Sequence, residues 1–149
     1  MLSKPTDFWG KLHQTKEGKL LKWHSLIGHS ADVAACVEAL LSMTILNKRL
    51  AQLAGQSILT STQIARLSAI AALHDIGKYN VGFQAKCNPK DSTRWAGHQL
   101  PVLDLFGSNT KEEEALYKAL DLSKILSWNN DPETMLRLLI ACICLKLAL

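Results

Sequence analysis

Apolar residues recur along most of the chain at the three- and four-residue spacing of an α-helix. No segment alternates for long with the two-residue period of a strand. The first helical pattern covers residues 28–53, and Gly55 predicts its end. The apolar face predicted for this helix consists of Val33, Ala34, Val37, Leu40, Leu41 and Ile45. This pattern predicts one amphipathic helix with that face buried.

A capping box predicts where the second helix begins. Thr60 and Gln63 have the required spacing, and the helix that follows should bury an apolar face. That predicted face consists of Ile64, Leu67 and Ala71. Gly77 is a suitable C-terminal residue, so we expect this helix to end near Asp75.

The sequence pattern in the second half of the chain predicts an irregular connection followed by further helices. The connection covers residues 79–96, and a short helix is expected around residues 98–106. Thr110 and Glu113 repeat the capping-box spacing and predict a helix to about Trp128. Asp131 and Pro132 predict the start of a last, apolar core helix. We therefore predict an all-α fold in one domain, residues 1–149, a size sufficient for a substantial core.

Charge and composition restrict the function classes only mildly. The net charge is +4, and residues 1–30 and 76–98 each carry a net charge of +3. Such stretches suit an anionic partner such as nucleic acid, although solvated lysines explain them equally well. The four cysteines have no CxxC spacing, and no apolar run is long enough to span a bilayer. We expect a cytoplasmic protein that does not bind a membrane.

Candidate chemistry centres on two histidines and an aspartate. His29 lies in the first turn of one predicted helix, and His74 and Asp75 lie in the last turn of another. If the two helices pack antiparallel, two imidazoles and a carboxylate can surround one cation. This mixture of nitrogen and oxygen ligands suits Mn, Fe, Ni, Co or Zn better than Ca. A lone core histidine is the simpler explanation for His74, but an adjacent carboxylate would be costly to bury without a partner.

Three further residues are weaker candidates. The Lys78 ammonium could offset charge that develops on a metal-bound phosphate, or it could only complement the helix dipole. His98 could be a ligand or a surface histidine. Asp32 lies one turn after His29 and could orient that imidazole, or it could face water.

Several motifs together resemble a known family. These are Trp9-Gly10-Lys11, the segment from Trp23 to Ala35 with its His-x-x-Asp-Val-Ala pattern, the run His74-Asp75-Ile76-Gly77-Lys78, and Phe83-Gln84. They resemble the N-terminal HD nuclease domain of the CRISPR-associated nuclease-helicase of type I systems. The run at residues 74–78 alone would indicate only the wider HD phosphohydrolase superfamily. The resemblance covers roughly residues 8–106.

The resemblance implies a helical HD bundle that cleaves single-stranded DNA with one or two divalent metal ions. It implies that His29, His74, Asp75 and His98 are metal ligands, that Asp75 bridges two ions where two are bound, and that Lys78 acts on the scissile phosphate. Transition metals are the expected ions, and Mg is also compatible. The implied partners are single-stranded DNA, a helicase that feeds the strand, and the CRISPR effector complex that recruits it.

The sequence departs from the family pattern near its last residue. In the family an apolar helix continues into a His-His-Gly ligand pair and, later, a ligand aspartate, whereas here Cys144 is followed by Leu145 to Leu149. Helicase motifs are also missing from the sequence. We therefore expect a bundle that is incomplete at its C-terminus and binds metal weakly. Two alternatives stay open: an HD phosphohydrolase that acts on nucleotides, and an inactive remnant that only binds a partner.

Overall fold

The computed structural model of the protein describes residues 7–88, 96–97 and 110–144. Most of these residues are helical, in agreement with the sequence prediction. The fold is not strictly all-α, however, because a two-stranded antiparallel hairpin precedes the first helix. The prediction of an all-α fold is wrong in that respect.

The hairpin consists of β1, Trp9–Gln14, and β2, Leu20–Ser25. Gly18 lies in the connecting turn with a φ of 78°, a conformation that glycine adopts without the steric cost that a Cβ brings. Its backbone N–H donates to the Thr15 carbonyl at 3.0 Å. Both strands are short, so their alternation was too brief to predict from the pattern. The hairpin leads directly into the first helix, where the Leu26 N–H donates to the Phe8 carbonyl at 2.7 Å.

The helix predicted over residues 28–53 is two helices, α1 from Leu26–Ser42 and α2 from Thr44–Leu53, joined at Met43 with a bend of 88°. Met43 has an extended backbone, φ −72° and ψ 123°, which interrupts the helical repeat. The predicted face is not buried as expected: its residues up to Val37, and Leu41, are only half-buried, and the other two are exposed. Leu40 is 49% exposed and Ile45 is 66% exposed.

A buried asparagine anchors α2. The Asn47 side chain accepts a hydrogen bond from the Leu59 N–H at 2.7 Å and donates to the Leu41 carbonyl at 3.1 Å. Because each partner is a backbone group, this one side chain fixes the segment on either side of α2. A buried side-chain amide needs hydrogen-bond partners of this kind for its donor and acceptor atoms.

The third helix, α3, covers Ser61–Ala72 and begins with the predicted capping box of Thr60 and Gln63. Its most buried residues are Ser68 and Ile70, whereas the predicted inward residues are only half-buried. The α-helix ends at Ala72, three residues before the predicted end near Asp75, and the chain continues as a 3₁₀ helix, Leu73–Tyr79. The predicted reason for the end is wrong, because Gly77 lies inside this tighter helix and does not have a positive φ.

Part of the predicted irregular connection is helical. A short helix, α4, covers Val81–Gln84, and a 3₁₀ turn follows at Ala85–Cys87. The helix predicted around residues 98–106 lies outside the described residues.

The remaining helices are α5, Lys111–Ala119, α6, Leu122–Leu126, and α7, Pro132–Cys144. A single helix to Trp128 was predicted, but Asp121 adopts a left-handed conformation with φ 48° and separates α5 from α6. The start of α7 agrees with the prediction, since the Asp131 carboxylate accepts from the Glu133 N–H at 3.1 Å. The core-facing side of α7 consists of Met135, Leu139 and Ile143.

Two compact units divide the chain, Met1–Asp75 and Ile76–Leu149. In the first unit α1 packs against α3 and against β1, and in the second unit α6 packs against both α5 and α7. Among the described residues, no single helix is long and apolar enough to cross a membrane. Helices α1 and α2 are together long and apolar enough for a span, but they are bent by 88° where they join.

Candidate metal centre

The first histidine of the candidate site is placed by the beginning of α1. The Ser25 side chain caps this helix by accepting from the Gly28 N–H at 3.0 Å, and His29 follows in the first turn as predicted. Gly10 on β1 lies directly against it. A methyl group at position 10 would lie 3.0 Å from the His29 Cβ and 3.1 Å from the Leu26 Cα. The hairpin can therefore approach the helix this closely only because residue 10 has no side chain.

The other two residues lie on the 3₁₀ helix that extends α3. Side chains of neighbouring residues on a regular α-helix point about 100° apart, which would separate His74 from Asp75. On Leu73–Tyr79 the His74 Nε2 atom nevertheless lies 3.1 Å from the Asp75 Oδ2 atom. A 3₁₀ helix has three residues per turn and also separates neighbouring side chains, by about 120°. The convergence therefore comes from the conformations of the two side chains and not from the change of helix type.

The three predicted ligands come together in space. The His29 Nε2 atom lies 3.0 Å from the same Asp75 Oδ2 atom, and the two imidazole centroids are 5.4 Å apart with their planes at 70°. One potential ligand atom from each residue falls within 4.8 Å of the others, so the group could hold a metal ion. His29 and Asp75 are buried, at 8% and 6% exposed, and the His74 side chain is about one third exposed at 33%.

The hydrogen bond that His74 makes to the backbone leaves its Nε2 atom facing the Asp75 carboxylate. The His74 Nδ1 atom lies 2.8 Å from the Ala71 carbonyl, which can only accept, so Nδ1 carries the proton and donates it. In the neutral ring the lone pair is then on Nε2, which faces the Asp75 Oδ2 atom. Two electron-rich atoms 3.1 Å apart need either a second proton or a cation between them. This donor set fits a divalent transition metal, and the Ala71 bond is the kind that orients a ligand histidine.

Asp32 contacts a different histidine from the one considered in the sequence prediction. Its Oδ2 atom lies 3.0 Å from the His24 Nε2 atom, and both side chains are exposed, at 71% and 45%. The His24 ring lies beside His29, with centroids 6.4 Å apart. The hypothesis that Asp32 orients His29 is therefore not supported, and the carboxylate orients His24 instead.

Of the two remaining predicted site residues, only Lys78 belongs to the part of the chain that the structure describes. Lys78 lies on the 3₁₀ helix that also carries His74 and Asp75, and its ammonium lies 5.6 Å from the centroid of the Phe83 ring. His98 lies outside the described residues. Gly10 and His24 stand in the motifs that carry the family resemblance, but the sequence prediction gave neither of them a role at the site.

Comparison with known proteins assigns the chain to one family. The family model described as Cas3, HD domain, matches residues 9–139, which is most of the chain. The matched range contains the hairpin, the three converging residues and the helices up to α7. No curated protein and no solved structure gave a significant match.

Proposed function

This chain belongs to the Cas3 HD-domain family, typically metal-dependent CRISPR-associated nucleases, and from that premise we propose that it cleaves single-stranded DNA. The observation that carries the proposal is the convergence of His29, His74 and Asp75 within 4.8 Å. Neither imidazole is adjacent to the other in the sequence, so their meeting at one carboxylate is a property of the fold.

The three residues would hold a divalent transition metal, one of Mn, Ni, Co, Fe or Zn, with Mg also compatible. A metal ion bound there supplies a Lewis acid for the phosphate oxygens and lowers the pKa of bound water. Asp75 is proposed as the catalytic carboxylate because its Oδ2 atom faces both imidazoles. Under the proposal it would also be shared by a second ion where two are bound, and His98 would be a further ligand.

Lys78 is proposed to act on the substrate. An ammonium in reach of the scissile phosphate stabilises the negative charge that develops on the phosphate oxygens. Its position three residues after Asp75, on the same 3₁₀ helix, supports this role. The strand would be delivered by a helicase domain or subunit, after recruitment by the CRISPR effector complex.

A cleavage assay tests the proposal. The purified chain is incubated with end-labelled single-stranded DNA and Mn, Ni, Co, Fe, Zn or Mg, next to His74→Ala and Asp75→Asn variants and an EDTA control. We expect cleavage by the wild-type chain with at least one metal, and loss of cleavage in both variants. Equal cleavage by wild type and variants would identify a contaminating nuclease and reject the catalytic assignment.

Two other results would each favour an alternative. Hydrolysis of mononucleotides without cleavage of DNA would indicate a nucleotide phosphohydrolase. Intact DNA with every metal, from a chain that binds metal and remains folded, would indicate a module that binds without catalysis. Metal binding is measured separately by calorimetry, so these results can be told apart.

A further inference from the structure

We propose that Lys86 binds a backbone phosphate of the nucleic-acid strand, next to the phosphate that Lys78 contacts. The inference rests on the proposed function for the identity of its ligand. It adds a second contact to the strand from the part of the chain that follows His74 and Asp75. We call Lys78 and Lys86 the lysine pair.

One aromatic ring brings the lysine pair together. Phe83 is 7% exposed, and its ring lies 5.6 Å from the Lys78 Nζ atom and 4.5 Å from the Lys86 Nζ atom. Both distances fall within the reach of a cation–π interaction, about 6 Å from the ring centroid. The two distances also limit the separation of the ammonium groups to about 10 Å, comparable with the screening length of about 8–10 Å in physiological salt.

Hydrogen bonds hold the backbone that carries these side chains. The Asn80 side chain accepts from the Phe83 N–H at 2.7 Å and donates to the Gly97 carbonyl at 3.0 Å. The Gln84 side chain donates to the Lys78 carbonyl at 2.7 Å. The backbone at Lys78 and Phe83 is therefore held by these side chains, and Lys86 follows two residues after Gln84.

The charge of Lys86 calls for an anion. Two ammonium groups on one ring repel each other, and the ring face attracts each of them without supplying a negative charge. Among the residues that the structure describes, no carboxylate lies within 4.0 Å of the Lys86 ammonium. The surrounding stretch, residues 76–98, is itself basic. A phosphodiester strand offers regularly spaced anions, and a basic surface that follows its backbone is how proteins bind single strands.

Salt dependence of binding tests this inference. Fluorescence anisotropy measures the affinity of the full chain for a labelled oligo-dT over a range of salt concentrations, in EDTA so that no strand is cut. Each phosphate contact on a single strand contributes about 0.7 to the slope of log K against log salt. We expect Lys86→Ala to weaken binding several-fold at low salt and to reduce the slope by about 0.7.

Control variants distinguish a specific phosphate contact at Lys86 from a general effect of net charge on binding. Lys48→Ala removes an exposed lysine of α2 and is expected to leave the slope unchanged, and Lys86→Arg is expected to keep it. Thermal unfolding confirms that each variant is folded. A Lys86→Ala slope equal to that of wild type would overturn the inference, as would failure of the wild-type chain to bind the oligonucleotide. Displacement of the strand by thymidine monophosphate at equal phosphate concentration would also reject a strand contact.

The salt dependence of binding tests the contact at Lys86 whether or not the chain cleaves DNA. A reduced slope in a chain that does not cut DNA with any metal would support the lysine pair and contradict the nuclease proposal. Cleavage of DNA with an unchanged slope would support the nuclease proposal and reject the contact at Lys86.

Discussion

The Nε2 atom of His29 lies 3.0 Å from the Oδ2 atom of Asp75, although 46 positions separate the two residues in the sequence. Both residues are buried, so the contact forms in a region with little competing water. The His74 imidazole approaches the same oxygen atom from the neighbouring position. The site therefore depends on one carboxylate oxygen, and the predictions that follow begin there.

Asp75→Asn should abolish the stabilisation of the chain by metal. The amide keeps the size of the carboxylate but has no negative charge and is a poor metal ligand. With Mn²⁺ roughly a hundredfold above its Kd, bound metal stabilises a folded chain by about 2.7 kcal/mol, or about 5–10 °C in Tm for this size. Calorimetry should show that rise for wild type and for an Asp121→Asn control. A rise of equal size in Asp75→Asn would contradict the proposed ligand set.

Gly10→Ala should weaken metal binding from a position that contributes no ligand. The added methyl group would lie 3.0 Å from the His29 Cβ, so β1 or the first turn of α1 must move. Overpacking of this kind costs about 1–3 kcal/mol. We expect lower stability in urea denaturation and a larger Kd for metal. Gly97→Ala, where an added methyl meets nothing within 4 Å, is the matched control and should behave as wild type.

Asp32→Ala should leave the affinity for metal unchanged. The Asp32 carboxylate contacts His24, both side chains are exposed, and exposed pairs contribute little to stability. Isothermal titration with Mn²⁺ measures the affinity. A clear loss of affinity in Asp32→Ala would mean that His24 or Asp32 supports the His29 ring, with His24→Ala then showing the same loss.

The capping carboxylate at α7 should give stability that depends on pH. The Thr134 hydroxyl, which donates to the Asp131 carboxylate, lowers the pKa of Asp131 below its usual 3.8, and backbone N–H groups at the helix start act in the same direction. A pKa that is lower in the folded chain gives stability that is present above the unfolded pKa and is lost as pH falls through the folded one. Asp131→Ala should thus lower Tm at neutral pH, with a difference that shrinks on acidification below about 4. A difference that persists in acid would point to packing instead of the cap.

Local signals in the sequence determined several features of this protein. Thr60 with Gln63 predicted the start of α3, and Asp131 with Pro132 predicted the start of α7, because a cap depends only on residues within one turn. The chemistry of His29, His74 and Asp75 was predicted in the same way, from residue types that are costly to bury alone. Their role as ligands remains a prediction, and the structure adds that they converge.

Tertiary structure alone decided the rest. Met43 carries no breaker signal, yet the chain turns there by 88° and leaves Ile45 exposed, a result of packing that no helical repeat records. Likewise, spacing along α1 placed Asp32 near His29, but the folded chain pairs it with His24 on the preceding strand. The periodicity of a helix specifies which side chains share a face. Which distant side chains meet depends on how α1, α3 and the hairpin pack, and that packing is set by the sum of many weak contacts.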